Sequence, residues 1–203
     1  MGRTSDAKER LMDAALALIW EESYGAVTID DICTRADVRK GSFYHFFESK
    51  SDLAVAAVDR LWREKWQPEL DRAFSATVGP LERVKGYLAG IHAKQAETAL
   101  RHGKVLGCPI CSVGSEVSTG DPVLSGKLRE IFSHKIRYYE SAIREALSAG
   151  LVEACDPHQR AMSLMGLIEG LVAQARIMND AEILRALPQM GLDLLRPKAA
   201  AAA

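Results

Sequence analysis

At 203 residues, 48% hydrophobic and 26% charged with a net charge of −1, the chain has ordinary globular composition and the length to bury a core. The near-neutral balance excludes indiscriminate coating of nucleic acid, so any such contact must be local. Four cysteines, Cys33, Cys108, Cys111 and Cys155, are too few and too scattered for a secreted disulfide scaffold. No apolar run approaches the roughly 20 residues of a membrane span and no signal-peptide core is visible, so a cytoplasmic protein without a membrane partner is expected.

Helical spacing dominates, strand-like alternation is absent, and none of the seven prolines precedes Pro68. The reading is all-α. A first helix is expected from Asp6, at capping-box spacing from Glu9, with Leu11, Ala14 or Ala15, Leu18 and Ile19 on its buried stripe. It should end near Ser23-Tyr24-Gly25. Thr28 and Asp31 form a second capping-box pattern, and Ile29, Ile32, Cys33 and Ala36 follow one helical face. A tight turn at Asp37 then leads into Arg39-Lys40-Gly41-Ser42-Phe43-Tyr44-His45-Phe46-Phe47. Two short helices joined this way make a helix-turn-helix whose second helix reads DNA.

Ser49 and Asp52 open a fourth helix carrying Leu53, Ala57, Leu61 and Trp62, which Pro68 is expected to end or kink. A longer helix follows Gly79-Pro80, with Leu81, Val84, Leu88, Ile91 and Gln95 on one stripe and its end near His102-Gly103. Gly107-Cys108-Pro109 breaks the chain before a short helix from Ile110 to Val117. Asp121-Pro122 and Asp156-Pro157 are start signals, each a cap followed by proline at the first helical position. The first leads a stripe from Leu124 to Leu147 and the second carries Met162, Met165, Ile168, Val172 and Ala175. A last segment from Ala181 to Leu195 is interrupted by Pro188.

From Lys8 to Leu53 the chain resembles the DNA-binding domain of TetR-family bacterial transcriptional regulators. The resemblance is carried by Leu11, Ala14-Ala15, Tyr24, Thr28-Ile29-Asp30-Asp31-Ile32, Ala36, Val38, Lys40 through Phe47, Ser49-Lys50 and Leu53. It implies an all-helical homodimer, with a three-helix domain (residues 1–48) that binds an operator and a helical domain (residues 49–198) that binds an effector and dimerises. The alanines from 199 to 203 are treated as a tail. Ser23 and Asp37 stand where many relatives carry glycine, and Arg39 replaces a commoner serine or threonine.

Met1 to Lys50 holds nine acidic and seven basic side chains, yet from Arg35 to Lys50 four cations face only Asp37 and Glu48. The favourable charge lies on the reading edge. Thr28 at a helix start, Lys40, Tyr44 and Lys50 are the candidate phosphate contacts. Arg39, Ser42 and His45 are candidates for base edges, and Gly41 allows close approach to the duplex. An exposed polar helix end without function would show the same spacing; the extended family pattern argues against that.

For the effector, Trp62, Trp66, His92, Gln95, Tyr138 and Tyr139 are candidates because they place aromatic or polar groups on apolar stripes. Each is also readable as a satisfied core or boundary residue. Cys108 and Cys111 are either sensing thiols, with Cys111 resolving an oxidised Cys108, or small core hydrophobes. The Gly107-Cys108 pair resembles a family subset that senses electrophiles or oxidants. A lone C-x-x-C supplies only two ligands, so neither a metal nor a cofactor is expected. Met162, Met165, Ile168, Val172, Ile183, Leu187 and Leu194 are candidate dimer-interface residues.

The function that follows is a ligand-responsive regulator rather than an enzyme. Its expected partners are a palindromic double-stranded operator, a second copy of itself and a small-molecule effector. Two alternatives are a cytosolic thiol-redox protein built on Cys108 and Cys111, which lacks the usual βαβ context, and a ligand-binding dimer without DNA affinity.

Overall fold

The computed structural model describes residues 2–117 and 119–198, with the side chains of 2–5 left aside; the terminal alanines lie outside the described residues. Among the described residues the only non-helical pairing is an isolated antiparallel bridge between Val152 and Pro197. The helices are α1 (Gly2–Glu21), α2 (Ile29–Ala36), α3 (Lys40–Phe46), α4 (Lys50–Leu61), α5 (Gln67–Ala73), α6 (Pro80–His102), α7 (Pro109–Val117), α8 (Pro122–Ser148), α9 (Pro157–Met178) and α10 (Leu187–Leu195). Two compact units result, Met1–Gln67 with Cys108–Ile131, and Pro68–Gly107 with Phe132–Ala203. Compactness therefore does not divide the chain at residue 48. Leu53, Ala54, Ala57 and Val58 are buried, and α4 packs with α1 in the first unit.

In the first unit, Leu11, Ala15, Ile32, Phe43 and Leu53 are wholly buried and give the short helices a common core. Such brief helices need that core, because a single nucleated turn is unstable alone. Thr28 caps α2 as its pattern predicts, with the reciprocal bonds to Asp31 in place. Asp37 takes the left-handed conformation, φ 51 and ψ 50, and its N–H reaches the carbonyls of Cys33 and Thr34. An aspartate tolerates this conformation better than most residues. Ser49 caps α4 by accepting the Asp52 N–H at 3.1 Å. Asp6 does not cap α1, which already runs from Gly2; it lies 3.4 Å from Arg10 one turn on.

Pro68 does not end its helix, which runs on into α5. A π-helical turn, Trp62–Trp66, precedes it, and the Gln67 N–H bonds to the Trp62 carbonyl. Widening the helix by one residue is a known way to accommodate a locally misfitting side chain or ring.

In the second unit, Gly103 stops α6 with φ 71, Asp156 caps α9 through His158 N and Gln159 N, and Pro188 falls in the first turn of α10. A turn of 3-10 helix, Ala181–Ala186, replaces the first part of the single helix read from sequence. By length and composition alone, α9 is long and apolar enough to cross a membrane, contrary to the expectation that no segment is. Its Ala161, Leu164, Met165, Ile168, Val172 and Ala175 are instead buried within this unit.

Candidate nucleic-acid interface

The amphipathic sequence of α3 divides its side chains cleanly. Phe43 is completely buried and Phe47, just past the helix, nearly so. Arg39, Lys40, Gly41, Tyr44 and His45 are exposed, and Ser42 is half-buried. Tyr44 leaves 55% of its surface open while its ring stands edge-on to Phe43 at 5.2 Å, so the core fixes an exposed phenol. His45 stacks edge-on against Phe46 at 5.0 Å. A Cβ at Gly41 would meet nothing within 4 Å, so the fold itself does not demand glycine there.

The cations of the reading edge are committed to different degrees. Lys40 pairs with Asp30 at 2.8 Å, and this carboxylate raises the lysine's pKa. Arg35 lies 3.5 Å from Glu21. Lys50, read from sequence as a phosphate contact, instead donates to the backbone carbonyls of Tyr24 at 2.8 Å and Val27 at 2.9 Å. Its ammonium also sits 4.3 Å from the centre of the Tyr24 ring. Two carbonyls and a ring face satisfy that charge, so Lys50 acts as a staple behind the edge. Arg39 occupies the N-cap position of α3 without a side-chain capping bond.

Two structural supports escape a sequence reading. Arg10 donates to the carbonyls of Ala36 at 2.8 Å and Asp37 at 3.2 Å, bracing the helix-turn-helix corner from α1. Glu116, on α7, accepts the consecutive backbone N–H groups of Tyr24 and Gly25. Gly25 permits that approach, since a Cβ there would lie 2.6 Å from Glu116 Oε1. The Tyr24 hydroxyl adds a 3.4 Å bond to Asp121. Burial opposes the charge on Asp121, but hydrogen bonds from Ser51, Leu124 N–H and Tyr24 outweigh it and hold the carboxyl below 3.8. The turn feeding Thr28 is thus gripped from α7 and the start of α8. A sequence separation of 92 residues hides the first grip.

Thr28 is exposed at the start of α2, its hydroxyl donating to Asp31 at 2.6 Å. A phosphate approaching there meets helix N–H groups, with Asp31 as the competing anion.

The C-x-x-C pair opens α7. Cys108 holds the N-terminal position, its carbonyl accepting from Ser112 N–H at 3.0 Å and its sulfur from Cys111 N–H at 3.5 Å. Both residues are half-buried. On the same helix Pro109, Ile110 and Val113 line a small apolar crevice with Leu16, Ile19 and Ala57. Trp62 is buried in the π-helical turn and Trp66 half-buried. No group of His, Cys, Asp and Glu among the described residues could hold a metal ion.

The remaining effector candidates lie in the second unit. Gln95 uses both ends of its amide on Gly107, donating to its carbonyl at 3.2 Å and accepting its N–H at 3.1 Å. It is a clip that holds Gly107 at φ 73, not an open ligand contact. His92 sits 3.5 Å from Glu182. The Tyr138 hydroxyl donates to Asp71; burial and then that carboxylate push its pKa up to about 12. Tyr139 is wholly buried beside Phe74 and Tyr87. Close by, Lys135 and Glu169 form a buried pair at 3.0 Å, which the sequence reading did not single out. Their signal was a lone charge on an otherwise apolar helical stripe.

Of the expected interface residues, Met165, Ile168, Val172 and Leu187 are buried inside the single chain and serve its core. Met162 is exposed, and Ile183 and Leu194 are half-buried. The outward face of α9 instead carries Met162, Gly166, Gly170, Ala173 and Ile177.

Residues 11–57 match the model of bacterial regulatory proteins of the tetR family, and residues 80–190 match a tetracyclin repressor-like C-terminal domain. The chain is similar to the transcriptional regulator AcuR of Cereibacter sphaeroides, 29% identical over 84% of this chain and 77% of the relative. It is also similar to the HTH-type transcriptional repressor NemR of Escherichia coli K12, 26% identical over 87% of each. The structure of a TetR-family regulator from Agrobacterium tumefaciens superposes with a TM-score of 0.85, covering 96% of this chain and 100% of that one, at 20% identity. That last likeness concerns the fold alone.

Proposed function

The chain belongs to the tetR family of bacterial regulatory proteins, a DNA-binding transcriptional regulator, and from that membership we propose a homodimeric repressor released from a palindromic operator by a small-molecule or electrophilic signal. DNA reading is assigned to residues 1–48, and effector binding and dimerisation to residues 49–198. The observation that carries the reading is the sidedness of α3. Phe43 and Phe47 anchor it while Arg39, Tyr44 and His45 face solvent together.

In this reading Thr28, Lys40 and Tyr44 contact phosphates and fix register, and Arg39, Ser42 and His45 meet base edges. Lys50 supports them by holding the turn before α2. Met162, Gly166, Gly170, Ala173 and Ile177 form the two-fold contact, because small residues let helices approach and the methionine and isoleucine supply apolar area. Exposed apolar side chains at both ends of α9 support this, Met162 at 49% and Ile177 at 80%. A two-fold dimer requires half-sites about one DNA turn apart.

Cys108 is assigned the sensing thiol and Cys111 its resolving partner. The N–H donated to the Cys108 sulfur and the partial positive charge of the helix start both favour negative charge on that atom. A peroxide or hypohalite takes two electrons from the Cys108 thiolate, giving a sulfenic acid and water or halide; condensation of that sulfenic acid with the Cys111 thiol then forms the disulfide and releases water.

A gel shift with the DNA upstream of the protein's own gene tests the whole reading. Sequence-preferential binding that weakens steeply with salt is expected; its absence with and without oxidant refutes the regulator. Cys108→Ser should retain DNA binding and lose release by electrophile. Unchanged release would exclude the thiol arm only.

A further inference from the structure

Two charged residues of the first unit stand at locally unfavourable ends of their helices. Glu116 lies in the last turn of α7, and Lys50 is the first residue of α4. A helix end carries partial negative charge at its C-terminus and partial positive charge at its N-terminus, so each placement opposes the helix dipole. Both side chains serve the same short segment, the turn between α1 and α2. Glu116 accepts the N–H groups of Tyr24 and Gly25, one on each carboxylate oxygen. Lys50 donates to the carbonyls of Tyr24 and Val27. Asp121, just before α8, accepts the Tyr24 hydroxyl. Donors, acceptors and a side chain of one turn are thus held from three other parts of the unit.

What this hold fixes is the beginning of α2. The buried residues of that helix, Ile32, Cys33 and Ala36, all lie in its later half. Thr28, Asp30 and Asp31 are exposed. The core therefore grips α2 from its far end, and on the near side only Val27, 1% exposed, is anchored by packing. Thr28 follows directly on Val27, so a shift of the turn moves the Thr28 hydroxyl and the first free amides of the helix with it. Exposed hydrogen bonds add little to stability, which accounts poorly for two charges placed against the dipole. A positional role accounts for them better. Gly25 fits the same role, because a Cβ there would lie 2.6 Å from Glu116 Oε1.

We propose that Glu116 is a positioning residue for operator binding: together with Lys50 it holds the turn so that Thr28 and the first amides of α2 meet a DNA phosphate. The proposal rests on the reading of Thr28 as a phosphate contact. A helix start held in its binding pose raises affinity, because a protein that adopts that pose only part of the time binds proportionally more weakly. The link is reciprocal. Operator must tighten the Glu116 hold by the same factor by which that hold raises operator affinity.

Fluorescence anisotropy of the full chain on the DNA upstream of its own gene, with amide exchange followed by NMR, tests this. Glu116→Gln keeps the side chain's size but turns an NH2 donor toward one of the two N–H donors. It should weaken operator binding about three-fold or more, as a pose held a third of the time predicts, while thermal unfolding stays cooperative. The Tyr24 and Gly25 amides should exchange faster in that variant. In the unaltered protein they should exchange more slowly once operator is bound, a response that a merely structural clamp would not give. Combined with Thr28→Ala, the Glu116→Gln loss should be smaller than the product of the two single losses. Unchanged affinity of Glu116→Gln overturns the proposal, as does wild-type exchange that ignores operator. Tighter binding overturns it too, since Glu116 would then be competing with phosphate for those amides. The underlying readings fail separately: a wild type that binds no DNA refutes the regulator, and Thr28→Ala at full affinity refutes the Thr28 contact, each taking this proposal with it. Wild-type binding with a Thr28→Ala loss and no Glu116→Gln loss refutes the positioning role alone.

Discussion

The reading edge of α3 and the core around Tyr139 use polar residues in opposite ways. On α3 the charges stand in solvent, where Lys40 pairs with Asp30 under heavy screening and Arg39 caps without a side-chain bond. Between α8 and α9, Lys135 and Glu169 are almost wholly removed from water. Exposed pairs contribute little to stability, so the edge can be retuned for a new operator at small cost to the fold. The buried pair constrains the whole unit, since breaking it strands a charge.

That contrast gives predictions of decreasing size. Glu169→Ala should lower stability by about 3–5 kcal/mol, because Lys135 remains buried without its carboxylate. A joint Lys135→Met, Glu169→Leu variant should recover most of that loss in chemical denaturation; failure to recover would mean that the pair also specifies the packing. On the exposed side, Arg39→Ala should leave unfolding unchanged and reduce operator affinity by about 1–3 kcal/mol if it reads a guanine. A uniform loss across operator and random DNA, with a shallower salt dependence, would assign it to phosphate instead.

The smallest effect belongs to the turn between α1 and α2. Gly25→Ala would press a methyl against Glu116 and disturb its hold on the Tyr24 and Gly25 amides. A loss of about 1 kcal/mol or less is expected in thermal melts, as for an exposed charge-assisted bond. Glu116→Ala should cost a similar amount, and the two together should cost less than their sum. Strict additivity would show that the carboxylate and the glycine act independently.

Local signals made much of this molecule legible. Thr28, Asp37, Ser49, Asp121 and Asp156 marked helix starts or a turn because capping is decided within about four residues of sequence. The polar and aromatic alternation from Arg39 to Phe47 revealed a reading edge for the same reason, since a short helix has one face to bury and one to present. The start of α1 was misplaced because Asp6 fits a capping pattern equally well inside a helix, paired to Arg10. That the helix continues past Pro68 was not legible, because the π-helical turn upstream of it has no local sequence signal.

What the sequence determined by itself was the all-helical class, the helix-turn-helix and the faces of its helices, all set by short-range periodicity and capping. Tertiary structure alone decided how each polar side chain is used. It turned Lys50 from a phosphate contact into a backbone staple, and Gln95 from a ligand contact into a clip on Gly107. It moved Met165, Ile168, Val172 and Leu187 from a partner's surface into the chain's own core. It also joined Glu116 to Tyr24 and Lys135 to Glu169. Such pairings depend on which helices meet, and periodicity tells which face of a helix is buried without telling what it is buried against.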